Sequence, residues 1–232
     1  MPWPRSFEEL ERVQVELAAA QPERVRLAGD LLIGGCFVCF TRDREGPGVA
    51  GESGWAAAAV GTEDAAIGGA AGVAYKSDYL ALREGPLLEQ AVRALAMMPD
   101  VLLVNASGRD HSRRAGLALH LGAVLDIPTV GVTRRPLRAF GGEPEDARGS
   151  TVPLRLEGDI VGYTLRTRTG ARPLAVHAAW RTDPDTAREI VLAASGSART
   201  PEPLRRARRL ARLARAWCKA RPENGIPANV LR

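Results

Sequence analysis

Residues 99–137, PDVLLVNASGRDHSRRAGLALHLGAVLDIPTVGVTRRPL, leave few folds open to this chain. Val101 to Val104 is a short, β-branched apolar run between Pro99 and the polar turn Asn105-Ala106-Ser107-Gly108. Its length and branching predict a buried strand rather than a helix. A polar turn carrying Arg109, Asp110, His111, Arg113 and Arg114 follows, then an Ala/Leu-rich helix with Gly116 and Gly122, then a second apolar run from Ile127 to Val132. Strand, helix and strand within some thirty residues make a parallel crossover unit of right-handed form. In open α/β sheets polar chemistry collects at the carboxyl ends of such strands. Those ends carry Asn105 and His111 from the first strand, and Thr133, Arg134 and Arg135 from the second.

The other elements extend this unit into a larger α/β sheet. Ser6 followed by Glu9 has the form of a capping box and opens a helix that ends before Pro22. Val25 to Phe40 reads as two strand segments broken at Gly34-Gly35. Trp55 to Val60 gives another strand, so a meander of antiparallel neighbours precedes the crossover. Pro86 at a first helical position is expected to start a helix carrying Leu88, Ala91, Val92 and Leu95, with Glu84 just before its N-terminus. Gly141 to Ser150 is expected to be a mobile loop. Ile160 to Arg168 and Pro173 to His177 read as two more strands, and Asp185 starts a helix through Ala194. Leu204 to Trp217 is an amphipathic helix, with Ala207, Leu210, Ala211, Ala214 and Trp217 on one stripe and Arg205, Arg208, Arg209, Arg212 and Arg215 on the other. Between Arg199 and Arg221 nine Lys/Arg face one acid, a pattern that tracks phosphates or simply solvates a helix flank.

Composition narrows the function classes. With 232 residues, 45% of them hydrophobic, and no Pro/Ser/Gly linker, one domain with a sizeable core of small aliphatic side chains is expected. A net charge of +5 permits a polyanionic partner. Three cysteines are too few for a disulfide framework, and Cys36-x-x-Cys39 lacks a second Cys/His pair, so both are read as strand residues. Neither a signal peptide nor an apolar run of membrane-spanning length is evident, and a soluble, cytoplasmic, monomeric protein is expected.

Asn105-Ala106-Ser107-Gly108, His111-Ser112-Arg113-Arg114, Gly116, His120-Leu121-Gly122, Ile127-Pro128-Thr129 and Gly131-Val132 resemble endonuclease V, the repair nuclease for deaminated bases. Tyr75 to Pro86 (YKSDYLALREGP), Val161 to Pro173 (VGYTLRTRTGARP) and Arg199 to Pro203 (RTPEP) agree in order. The resemblance implies a ribonuclease H-like mixed α/β sheet flanked by helices. Within a single domain over 1–232 it covers a core at 24–215, with an N-terminal helix in 1–22 and a tail at 216–232.

It also implies a Mg²⁺-dependent site, with Mn²⁺ as an alternative ion. The family's first metal aspartate stands two residues after an Ala-Gly pair. Ala28-Gly29 puts Leu31 there, and a one-residue slip would bring Asp30 instead. Glu84 matches the metal glutamate, Asn105 falls at the second metal aspartate, and Arg134 stands for a lysine near the scissile phosphate. The implied ligands are therefore Glu84, Asp30 and Asn105, with Arg134 beside them. Tyr75 matches a wedge tyrosine, although Lys76-Ser77-Asp78 lacks the usual prolines. His111 matches a site-loop histidine, with Asp110 as an added acid that reads equally as part of an ion-paired surface turn. The family's catalytic histidine falls on Trp180, read equally as base-stacking or core, and His177 is three residues earlier. Gly108, Arg113, Arg114, Arg135, Arg205 and Arg209 complete the expected nucleic-acid contacts.

Because carboxylates supply the charge that offsets Mg²⁺ dehydration, the expected function is nucleic-acid binding at deaminated (inosine-containing) or unpaired DNA or RNA, with cleavage weakened or lost. The alternatives are an active endonuclease cutting the second phosphodiester 3′ to deoxyinosine, and a non-catalytic protein-interaction scaffold.

Overall fold

A computed structural model describes residues 1–25, 30–41 and 45–220. Its helices are α1 (Phe7–Ala19), α2 (Leu80–Arg93), α3 (Leu117–Leu125), α4 (Pro184–Ser195) and α5 (Glu202–Ala220). Its strands are β1 (Ile33–Phe40), β2 (Ser53–Val60), β3 (Glu63–Ala70), β4 (Val101–Val104), β5 (Thr129–Thr133), β6 (Thr151–Leu156), β7 (Asp159–Leu165) and β8 (Leu174–Ala178). All eight strands join one sheet in the order β3-β2-β1-β4-β5-β8-β7-β6. The first five form an antiparallel meander feeding parallel β1, β4 and β5, which is the ribonuclease H-like arrangement. β8, β7 and β6 extend it as an antiparallel edge.

Strand side chains alternate between faces. Leu102 and Val104 therefore pack with α2 and α3 residues such as Leu88, Val92, Leu119 and Leu121. Val101 and Leu103 pack instead with Ile190 and Val191 of α4 and Leu204 of α5. Ala57 and Ala59 meet Ala207, Leu210 and Ala211, so the apolar stripe of α5 lies on the sheet, while Arg205, Arg209 and Arg212 are exposed.

Two expectations change for long-range reasons. β1 runs unbroken through Gly34-Gly35. These glycines mark close approach: a Cβ on Gly35 would come within 2.6 Å of the Pro203 carbonyl carbon in α5, and one on Gly34 within 2.8 Å of Pro99. Of the expected strand from Val25, residues 26–29, including Ala28-Gly29, lie outside the described residues. Helix α2 starts at Leu80 rather than at Pro86, which is inside it. A 3-10 turn at Ser77–Tyr79 leads directly into the helix and supplies the earlier start.

Local signals set other details as expected. Ser6 Oγ accepts the Glu9 N–H at 3.1 Å and starts α1. Cys36 and Cys39 point to opposite faces: Cys36 is in the α2/α3 core, and Cys39 donates to the Ala211 carbonyl of α5. The loop expected to be mobile is pinned instead. The Arg166 guanidinium donates to the Glu145 and Pro144 carbonyls at 3.1 and 2.9 Å and to Glu143 at 3.1 Å. Among the described residues no helix is long and apolar enough to cross a membrane.

Candidate nucleic-acid site

The carboxyl ends of β1, β4 and β5 form the edge where the expected chemistry belongs. Cys36 is paired with Val104 in the parallel register, so the next residues along, Phe37 and Asn105, come side by side. Both lie on the α5 face. Phe37 packs against the Ala207, Leu210 and Ala211 cluster, and Asn105 Oδ1 accepts a hydrogen bond from Arg208 Nη2 at 3.2 Å. The Arg208 guanidinium also lies over the Phe37 ring, 5.1 Å from its centroid. The spacing that placed Leu31 or Asp30 at a ligand position is met a second time by Gly34-Gly35-Cys36-Phe37, and this is the register that reaches Asn105.

Asp30 is exposed and precedes β1 at the opposite edge. The strand from Ile33 to Phe37 alone separates it from Asn105 by roughly 13 Å. A one-residue slip does not bridge that distance, so the structure does not bring Asp30 to Glu84 and Asn105. The sequence carries this alternative register as a second small-residue pair, which read locally as a strand break.

Glu84 projects from α2, half-buried, and is close enough to Cys36 that its charge adds to burial in pushing the thiol pKa up. Burial raises Glu84 itself from 4.5 to about 7, opposed by neighbouring Arg83. Arg83 is fully committed elsewhere: it pairs with Glu52, donates to the Val49 and Val73 carbonyls, and lies on the Phe40 ring. Folded protein thus holds the Glu84 proton at pH values where the unfolded chain has released it. Stability is expected to fall as pH rises from about 4.5 to about 7, by about 3 kcal/mol in all. Glu84→Gln should therefore melt later than the parent at pH 8 and alongside it near pH 4.5. Urea titrations at both pH values check this, and an equal difference at both would refute it.

Mg²⁺ requires about six oxygens in octahedral geometry, with carboxylates to offset its charge. At this edge Phe37 offers none, the Asn105 oxygen is taken by a cation, and Glu84 is a single carboxylate with a proton affinity raised by burial. Among the described residues no three His, Cys, Asp or Glu side chains converge as metal ligands. The donor set does not fit the ion.

Arg134 and Arg135 are exposed just past β5. With Pro136, Gly141, Arg172 and Pro173 they line a groove of ≈ 410 Å³. Phe140, which sequence reasoning passed over, stands beside that groove with 83% of its surface exposed. Its backbone is fixed by reciprocal hydrogen bonds with Arg155, and only its high exposure distinguishes it. Arg205 and Arg209 are exposed on α5 and share a second groove of ≈ 330 Å³ with Arg208, Arg212 and Leu213. Tyr75 is 52% exposed, its backbone held by the Gly48 carbonyl.

Other residues expected to contact nucleic acid have partners within the chain. Arg113 donates to Gln14 at 2.7 Å, pairs with Glu11 and lies over the Tyr79 ring. Arg114 pairs with Asp159 and Glu157. His111 is buried: its Nδ1 accepts the Arg113 N–H, so Nε2 carries the hydrogen and donates to the Asp78 carbonyl at 3.1 Å. It fixes the turn that begins α2. Burial pulls its pKa down, against the opposing pull of Asp78. Gly108 is held by packing, because a Cβ there would meet the Ala178 carbonyl at 2.2 Å.

Asp110 is wholly buried, not part of a surface turn with Arg109 and Arg113. Its carboxylate accepts the backbone N–H groups of Leu137, Arg138 and Ala139 at 2.6, 2.7 and 2.6 Å, with His177 Nδ1 3.5 Å away. His177 Nε2 meets Thr133 Oγ1 at 2.8 Å, and burial lowers the ring's pKa against the pull of Asp110. His177 is wholly buried. Trp180 lies past β8, exchanging hydrogen bonds with Thr129 at the start of β5. That is the edge opposite Asn105, where Trp180 packs on the α2/α3 core.

An arginine-lined edge on a sheet of this topology places the chain in the ribonuclease H-like class. The sequence profile of the Endonuclease V family matches residues 15–209, and the chain belongs to that family. It is 42% identical over 146 residues to endonuclease V of Methanopyrus kandleri, a stretch covering 63% of each chain. The crystal structure of endonuclease V from Streptomyces avermitilis superposes with a TM-score of 0.81 at 33% identity, covering 94% of this chain and 96% of that one. That of Ciona intestinalis endonuclease V, in complex with a 24-mer DNA containing an inosine, shares the fold at 21% identity and a TM-score of 0.74, covering 92% and 98%.

Proposed function

We propose that this protein binds nucleic acid as an endonuclease V-like recognition protein, directed at inosine-containing or unpaired strands, with metal-dependent cleavage reduced to a trace or absent. The observation that carries this reading is the pairing of Phe37 with Asn105 beneath Arg208, at the edge where a nuclease of this family needs carboxylates. Two-metal or one-metal hydrolysis needs an ion to activate water and to offset charge on the leaving oxygen, and one partly protonated glutamate does not recruit it. Support for strand binding comes from the cationic groove at Arg134, Arg135 and Arg172, with exposed aromatic rings at Phe140 and Tyr75 that offer stacking surfaces. The Ciona intestinalis relative, bound to inosine-containing DNA, supplies the ligand class to try first.

The test is a labelled inosine-containing duplex and single strand, with matched controls and RNA counterparts, incubated with purified protein and either Mg²⁺ or Mn²⁺. Binding with preference for inosine and no nicking above background is the expected result. Nicking that Glu84→Ala abolishes would instead establish an active nuclease. Failure to bind any strand would leave the protein-interaction scaffold.

A further inference from the structure

Arginines gather at the carboxyl edge. Arg208 donates one bond, to Asn105 Oδ1, while its buried Nε has no partner among the described residues. Arg199 is held in place by bonds to the Arg172 and Pro173 carbonyls. Neither guanidinium meets a carboxylate within ion-pair distance among the described residues, and the same holds for Arg134, Arg172 and Arg212. Burial lowers the Arg208 pKa, and the charges of Arg212, Arg134 and Arg199 lower it further. Burial likewise lowers that of Arg199, with Arg134 and Arg172 adding to it. Elsewhere on α5 a guanidinium is neutralised where its surroundings permit: Arg206 pairs with Asp64 at 2.6 Å. Arg199 is bonded to two residues that line the groove with Arg134, and Arg208 reaches the end of β4 beside β5; guanidinium forks gathered in this way match phosphate oxygens.

Building on the nucleic-acid reading, we infer that Arg208, Arg199 and Arg134 form a phosphate site for one backbone phosphodiester of a bound strand, filled without any divalent cation. Asn105 and Phe37 then act as positioning residues, orienting the Arg208 fork by a hydrogen bond and by ring contact. From Arg134 the strand continues into the groove beside Arg135 and Arg172. Adding Mg²⁺ competes with the arginines for the phosphate, where in a metal-dependent site it would strengthen binding.

Fluorescence anisotropy of a short labelled single strand tests this, across a KCl series, in EDTA and in Mg²⁺. Binding in EDTA, weakened by Mg²⁺, is expected. Arg208→Gln and Arg199→Gln should each weaken it on the order of tenfold and reduce the slope of log K against log salt by about 0.7, with Arg208→Lys intermediate. Arg93→Gln, whose arginine pairs with Glu89 on α2, should change neither, and thermal melts show whether each variant is folded. Unchanged slopes in the folded arginine variants, or binding that requires Mg²⁺, would overturn the site while leaving strand recognition standing. A mononucleotide or inorganic phosphate that binds as tightly as the strand would overturn the assignment to a backbone phosphate. No binding of any strand would overturn the underlying reading itself.

Discussion

Phe37→Asp and Asn105→Asp, combined with Arg208→Ala, are expected to convert the carboxyl edge into a divalent-cation site. The three changes put two carboxylates side by side on β1 and β4 and remove the guanidinium that holds the Asn105 oxygen. Mn²⁺ affinity, read by electron paramagnetic resonance or calorimetry, should rise from no saturable binding by at least roughly the 10–100-fold that even outer-shell partners confer. Asn105→Asp alone should not achieve this, because the new carboxylate would pair with Arg208. It should instead stabilise the fold modestly and weaken strand binding by neutralising a phosphate-seeking cation. A triple variant that folds and still ignores Mn²⁺ would show that the Phe37–Asn105 register is not the ancestral ligand geometry. If the single Asn105→Asp change were enough to bind Mn²⁺, the role given to Arg208 would fail.

Loss of Asp110 should be the most damaging single change. Its wholly buried carboxylate gathers three consecutive backbone N–H groups of residues 137–139. Asp110→Ala strands three donors and removes the partner of His177, at a cost of about 3–5 kcal/mol. At about 2–4 °C per kcal/mol for a chain of this size, the melting midpoint should drop by roughly 10 °C. Asp110→Asn should do nearly as much harm, since one amide oxygen cannot accept what two carboxylate oxygens accept. Calorimetry reads this directly. A midpoint within about 2 °C of the parent would mean that the 137–139 turn stands by its own packing. Because that turn sits between Arg134 and Phe140, partial unfolding there should also weaken strand binding before the global transition.

The residues that misled a local reading did so for a common reason. Arg113, Arg114 and His111 are polar residues in a loop after a strand, which is where ligand contacts usually lie. Their partners, however, are Gln14 and Glu11 on α1, Asp159 on β7 and Asp78 before α2, as far as 102 positions away (113 − 11). Nothing in a short window reveals such partners. Gly34-Gly35 looked like a break because glycine weakens an isolated strand, but α5, joined far later in the chain, needs the space.

By itself the sequence determined the crossover of β4, α3 and β5, the ribonuclease H-like class, the amphipathic placement of α5 and membership of the Endonuclease V family. The crossover and the helix stripe follow from periodicity and turn chemistry, which act over short spans; the class and the family follow from the resemblance of the motifs in their order. The motif resemblance also puts Asn105 where the family's second metal aspartate is expected. Only the tertiary structure decided which residue of β1 stands beside Asn105, that Asp30 lies at the opposite edge, and that Arg208 reaches Asn105. Register between parallel strands and the pairing of charges are set by helices that pack across the sheet, and that packing is a property of the assembled core rather than of any segment in it.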